Sequence, residues 1–175
     1  LVAVTAALYV AILLPFKAFT LVPGFTEVRP GAAIPVVCSI LFGPPAAWGS
    51  AIGNLIGDIY GNMLTPGSIA GFVGNFLYGL IPFLFWRMFV RGKSGLAIKK
   101  IAAFILGVII ASAVCAVVIA VGVKYFAGAP DDTVKFLLSA IFLNNTGMGI
   151  VFGSILLLTL YPAVSALGLT FDKLQ

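Results

Sequence analysis

The sequence contains no histidine. That absence removes histidine metal sites, Ser-His-Asp triads and the H-E-x-x-H zinc proteases. Charge is scarce as well. Asp, Glu, Lys and Arg make up 9% of the 175 residues, against about 25% in an average soluble domain. Cysteine occurs twice, at Cys38 and Cys115, each inside an apolar run. Both fit small packing residues better than a disulfide framework or a zinc site. No metal site and no cofactor is expected from this inventory.

Apolar residues are what the chain has instead, at 62%. Its mean hydropathy is +1.20. A globule of this size cannot hide so much apolar surface from water, so lipid is the solvent for most of the chain. An ordinary soluble enzyme, a nucleic-acid-binding domain and a disordered chain are thereby excluded. The net charge of +5 comes from ten basic and five acidic residues. In a membrane protein such an excess belongs to cytoplasmic loops and needs no anionic partner. The first apolar run lacks an A-x-A-like cleavage pattern, so we expect a membrane segment there and not a signal peptide.

Six membrane segments are expected, over about residues 1–16, 31–42, 46–60, 68–89, 101–126 and 136–161. The fold class is an all-α membrane protein, a single domain over 1–175 forming a compact six-helix bundle. A full span takes about 20 residues, so the second and third segments are short. Gly43-Pro44-Pro45 between them predicts a tight turn, because adjacent prolines break helical hydrogen bonding. The link over residues 87–100 holds Arg87, Arg91, Lys93, Lys99 and Lys100 and no acid. The positive-inside rule puts it in the cytoplasm, with both termini. Loops 17–30, 61–67 and 128–135 then face outward, while Trp86 and Tyr161 fall near the inner interface.

A polar side chain in lipid faces protein or water and marks function by default. Asn54 and Asp58 lie four apart on the third segment and share a face. Asn75 and Tyr78 lie three apart on the fourth, and Asn144 and Asn145 adjoin on the sixth. Asn75 and Asn144 sit roughly 10–12 Å below the outer end at 1.5 Å per residue. The polar groups therefore gather in the outer half, which suits an outward-opening pocket better than a pore lined throughout. Each asparagine has a competing role as interhelical glue, worth about 0.6–2 kcal/mol. Asp58 either pairs with Lys17 or Arg29 or stays neutral. Loop 17–30 is either a lid, with Glu27 and Arg29 as polar contacts, or an interfacial loop with Arg29 at lipid phosphates. Loop 61–67 is either a second lid or a plain turn into a helix. Ala3, Ala7 and Ala11 form a small-residue groove on the first segment, suited to close helix approach inside the bundle or to a partner outside it.

Together these features resemble the S components of energy-coupling factor (ECF) transporters, small six-helix membrane proteins that bind a vitamin or similar micronutrient. The resemblance rests on size, six spans, the alanine groove and the block from Leu41 through Gly43-Pro44-Pro45 to Gly57-Asp58. Arg29-Pro30 before the second segment and Ile34-Pro35 within it resemble the QueT-like subgroup. The resemblance implies that Ala3, Ala7 and Ala11 dock on the ECF scaffold membrane subunit, powered by two cytoplasmic ATPases. It also implies that the loops after helices one, three and five close the pocket. No ATP-binding P-loop is present, so energy must come from elsewhere. The substrate-binding set is Glu27, Arg29, Asn54, Asp58, Asn75, Tyr78, Asn144 and Asn145. Stacking on a flat ligand falls to Phe19, Phe25, Tyr60, Phe72 or Tyr78, because Trp48 and Trp86 lie toward the inner side. The expected location is a prokaryotic plasma membrane, with the bilayer and a small molecule as partners and no nucleic acid. The alternative function is a stand-alone secondary carrier of a small polar solute, with Asp58 as an ion site. An intramembrane enzyme lacks its acid-base set, since the spans hold one Asp and neither His nor Glu.

Overall fold

The computed structural model describes residues 1–16, 19–22, 26–27, 29–90 and 98–174. Among the described residues six helices build the bundle: α1 (Val2–Phe16), α2 (Ala33–Phe42), α3 (Pro44–Tyr60), α4 (Ser68–Val90), α5 (Ile98–Ala127) and α6 (Asp131–Ala166). A short α7 (Phe171–Leu174) follows. Three of these helices, α4, α5 and α6, are long and apolar enough to cross a membrane by length and composition. The first two are shorter apolar helices.

α2 is the central element. Every residue from Ala33 to Leu41 is buried. This ten-residue helix, apolar apart from Ser39, is too short to span a bilayer alone and is enclosed by α1, α3, α4 and α6. It ends where the sequence predicts. Gly43 adopts φ +75°, a conformation that L side chains rarely adopt, and Pro44 opens α3 at its first turn. That start lies two residues ahead of the expected one, because proline is tolerated where no helical N–H is needed.

α1 packs on α3 through glycine. A Cβ on Gly49 would lie 2.5 Å from the Val2 carbonyl oxygen and 2.8 Å from Thr5 Cβ. Thr5, Ala6, Tyr9 and Leu13 form the buried face of α1. Ala3, Ala7 and Ala11 point the other way and are exposed.

Several boundaries differ from the sequence expectation. α5 and α6 overrun their apolar cores at both ends. Most of loop 128–135 is therefore the first turn of α6, where Asp131 and Asp132 complement the positive end of the helix dipole. Lys124 and Asp131 are bridged at 2.8 Å across that corner. Within the first loop, β1 (Thr20–Val22) and β2 (Thr26–Glu27) pair antiparallel, a hairpin that the all-α expectation did not contain. At the end of the bundle with the Gly43 turn, Trp86 meets Tyr161 edge-on at 5.4 Å. Arg87 there lies over the rings of Phe83 and Phe171. Lys17, Phe25, Arg91 and Lys93 lie outside the described residues.

Candidate functional site

The opposite end of the bundle holds the polar groups. One cavity, about 30 Å³ in volume, is lined by Arg29, Asn54, Asp58 and Asn75 together with Met63, Thr65, Gly67, Ser68, Gly71, Ile119, Val123 and Ile141. Three stretches bring the polar four together. Arg29 precedes the 3-10 turn Pro30–Ala32 that leads into α2. Asn54 and Asp58 come from successive turns of α3, and Asn75 comes from α4. All four are buried. The side of the cavity nearest the loops is formed by residues of the 61–67 connection. There the Thr65 N–H donates to Ser68 Oγ at 3.2 Å, tying the turn to the start of α4.

Hydrogen bonds orient the amides. Arg29 Nη2 donates to Asn54 Oδ1 at 2.9 Å. With its oxygen taken by the guanidinium, Asn54 keeps its two amide N–H donors for other partners. Gly71 faces this amide, and a Cβ there would lie 3.2 Å from Asn54 Nδ2 and 3.9 Å from Asp58 Oδ2. Asn75 Nδ2 donates to the Gly71 carbonyl at 2.8 Å, and Asn75 Oδ1 accepts from the Tyr9 hydroxyl at 3.1 Å. Asn75 thus retains one N–H and one lone pair. Arg29 and Asp58 bring a guanidinium and a carboxyl group to the same small space. In a membrane protein such groups are costly and seldom found without a task.

The remaining expected site residues fall elsewhere. Tyr78 and Asn145 do not line the cavity. The Tyr78 hydroxyl donates to the Asn145 backbone carbonyl at 2.9 Å, and Asn145 Nδ2 reaches Cys115 Sγ at 3.6 Å. That pair binds α4, α5 and α6 together, the glue role. Helix geometry explains the split. Residues three apart differ by about 60° around the axis, enough to turn Asn75 toward α3 and Tyr78 toward α5 and α6. Asn144 lies at the edge of the site, where its Oδ1 accepts a long contact from the Arg29 N–H at 3.4 Å. The side chain of Glu27 lies outside the described residues. Phe19, Tyr60 and Phe72, expected as stacking surfaces, are likewise not part of the cavity wall. Trp48 packs on Phe76 at 4.5 Å, away from it. Cys38 is buried in a cluster with Tyr9, Leu13, Ile34 and Ala46.

Tyr9 is the residue that the sequence expectation missed. It is 1% exposed, and its hydroxyl ends at the cavity wall. A buried tyrosine in an apolar helix needs a partner for its hydroxyl, and that requirement is the signal that could have found it.

A second hollow lies outside the bundle. An apolar groove of about 660 Å³ is lined by Val2, Ala3, Ala6, Ala7, Val10 and Ala11 of α1 and by Ile52 and Ile56 of α3. The alanine stripe forms its floor because the glycines of α3 already meet the opposite face of α1.

The QueT transporter family profile matches residues 1–162. The chain belongs to the QueT transporter family. A solved S component of a bacterial ECF transporter shares its fold, with 20% identity, 94% of this chain and 95% of that chain covered, and a TM-score of 0.52. A comparison with curated protein sequences gave no match. As a member of a transporter family the chain is a membrane protein that binds and moves a substrate, and not an enzyme.

Proposed function

We propose that this chain is the substrate-capturing S component of an ECF-type transporter and that its polar cavity receives a queuosine precursor. The observation that carries this reading is the convergence of Arg29, Asn54, Asp58 and Asn75 on one cavity at one end of a largely apolar bundle. Queuosine is built on a 7-deazaguanine base. Such a base offers a carbonyl acceptor beside ring N–H and amino donors. Guanidinium and amide N–H groups from Arg29 and Asn54 suit the carbonyl, and the Asp58 carboxylate suits two adjacent N–H donors. Asn75 adds one donor and one acceptor.

In this reading six helices span the bilayer and both termini are cytoplasmic. The Arg87, Lys99 and Lys100 end faces inward by the positive-inside rule, and the cavity opens to the outside. Arg29, with Glu27 near it in sequence, and the 61–67 turn act as lids. Tyr78 and Asn145 support the site through packing, and Asn144 holds the Arg29 backbone. The groove over Ala3, Ala7 and Ala11 receives the ECF scaffold subunit, whose two ATPases supply the energy. A secondary carrier tends to keep its sites near the midplane between repeats, which fits less well with polar groups gathered at one end.

Isothermal titration of the purified chain with 7-aminomethyl-7-deazaguanine tests the reading. One-to-one saturable binding, and no uptake by the chain alone in liposomes under an ion gradient, is the expected result. Absence of binding by any deazaguanine base overturns the substrate assignment. Gradient-driven uptake by the chain alone overturns the S-component assignment.

A further inference from the structure

We propose that Tyr9 couples the substrate cavity to the apolar groove on α1, so that filling the cavity changes the affinity of the groove for its partner. The proposal rests on the substrate and docking assignments above.

The first observation is positional. α1 contributes side chains to the groove but none to the cavity lining among the described residues. Its link to the cavity wall is the Tyr9 hydroxyl, which donates to Asn75 Oδ1 at 3.1 Å. Tyr9 sits on the same helix turns as Ala6, Ala7, Val10 and Ala11, which line the groove.

The second observation is how tightly the ring is held. A Cβ on Gly53 would lie 2.9 Å from Tyr9 Cδ1, and one on Gly31 would lie 3.4 Å from Tyr9 Cε2. Gly53 immediately precedes Asn54, and Gly31 follows Arg29 by two residues. The ring is thus packed against the backbones that carry two of the polar cavity residues, and its hydroxyl holds a third. Close-packed interiors transmit displacement, because there is no void to absorb it.

The third observation supplies the displacement. At about 30 Å³ the cavity has room for roughly one water molecule. Small-molecule pockets run to about 300–1,000 Å³. A base-sized ligand therefore enters only if the lining moves apart, and a ligand held by Arg29, Asn54 and Asn75 moves them with it. Their movement carries the Tyr9 ring, and the ring carries α1. The same turn of α3 places Asn54 on the cavity and Ile52 and Ile56 on the groove, so both walls of the groove are displaced together. Coupling of this kind is reciprocal: if the base alters groove affinity, the groove's partner alters base affinity by the same factor.

The test measures a ratio. Affinity of the purified full-length chain for its ECF module in nanodiscs is determined with and without saturating 7-aminomethyl-7-deazaguanine, for the wild type and for Tyr9→Phe. The wild type is expected to show a change of about fivefold or more, and Tyr9→Phe, which keeps the packed ring but loses the hydroxyl's hold on Asn75, a ratio clearly reduced toward one with both binding events retained. A purely structural role would weaken both events and leave the ratio intact. An unchanged ratio in Tyr9→Phe, or a ratio of one in the wild type, overturns the coupling while the two sites stand. Failure of the wild type to bind the base or the module overturns the functional reading instead, and the coupling with it. Hydrogen exchange on the wild type provides a readout independent of the variant. Base binding is expected to change protection in α1, and α1 protection that stays the same overturns the proposal.

Discussion

Gly71→Ala separates fold from function at a single methyl group. Gly71 lies in the first turns of α4, and its Cα faces the cavity. The added Cβ would meet Asn54 Nδ2 at 3.2 Å and Asp58 Oδ2 at 3.9 Å, with nothing else within 4 Å among the described residues. No backbone is hit. The Asn54 amide must give by a few tenths of an ångström, and its anchor on Arg29 resists that shift. On stability the substitution acts favourably, since alanine in a helix interior gains about 0.5–1 kcal/mol over glycine. On binding it acts the other way. The methyl group stands on the cavity wall beside the Asn54 amide and the Asp58 carboxyl group and blocks the approach of a ligand to them. The expected outcome is an unchanged or slightly raised melting temperature, together with at least about a tenfold loss of base affinity, equivalent to 1.4 kcal/mol. Thermal unfolding in detergent and isothermal titration give the two numbers on one preparation. Retained affinity in a chain of raised stability would refute the placement of the ligand, because the methyl would then stand where nothing binds.

Three further outcomes follow from the same geometry. Ala7→Trp fills the exposed groove and leaves the cavity untouched, so co-purification with the ECF module should be lost while titration with the base stays as in the wild type; retained co-purification would remove α1 from the docking surface. Gly49→Leu forces a side chain against the Val2 carbonyl and Thr5, and overpacking of this kind costs about 1–3 kcal/mol, to be seen as a lowered unfolding midpoint. Tyr78→Phe removes one buried hydrogen bond to the Asn145 carbonyl, so stability should fall by about 0.5–1.5 kcal/mol with base affinity unchanged; an affinity loss would put Tyr78 back in the site.

The sequence carried the axial coordinate of each polar group well and its rotation poorly. Chain distance from a loop fixes depth, at 1.5 Å per residue, and Arg29, Asn54, Asp58 and Asn75 do converge on one cavity. Rotation needs an amphipathic contrast. α4 and α6 are apolar on nearly every side, so nothing local states which side meets which neighbour. Asn75 and Tyr78 share a face by spacing, yet one meets Tyr9 and the other meets the Asn145 backbone. Asn144 and Asn145 are about 100° apart, and they part in the same way. The alanine stripe was ambiguous for this reason too. What resolves it lies in another helix: Gly49 and Gly53 of α3 take up the Thr5, Ala6 and Tyr9 side of α1, and the stripe is left outside. The hairpin of β1 and β2 left no apolar alternation long enough to notice, since only five residues form it.

Depth and rotation together account for how α1 can belong to two hollows at once. A helix in lipid has no wet face to protect, so both of its sides are free to take part in packing. On α1 one side carries Tyr9 to the cavity wall and the other presents Ala3, Ala7 and Ala11. Thr5 and Ala6, which meet Gly49 and Gly53 of α3, are small, and small residues at that contact let the two helices approach closely. Bulk at Ala6 would push α1 off Gly53, where the Ala6 carbonyl already lies 3.0 Å from a Cβ placed on that glycine. Glycine on α3 and alanine on α1 therefore do more than permit contact. They set the distance between substrate cavity and groove at the thickness of one tyrosine ring and one helix backbone, and that closeness gives a ligand of modest size leverage over a surface it never touches.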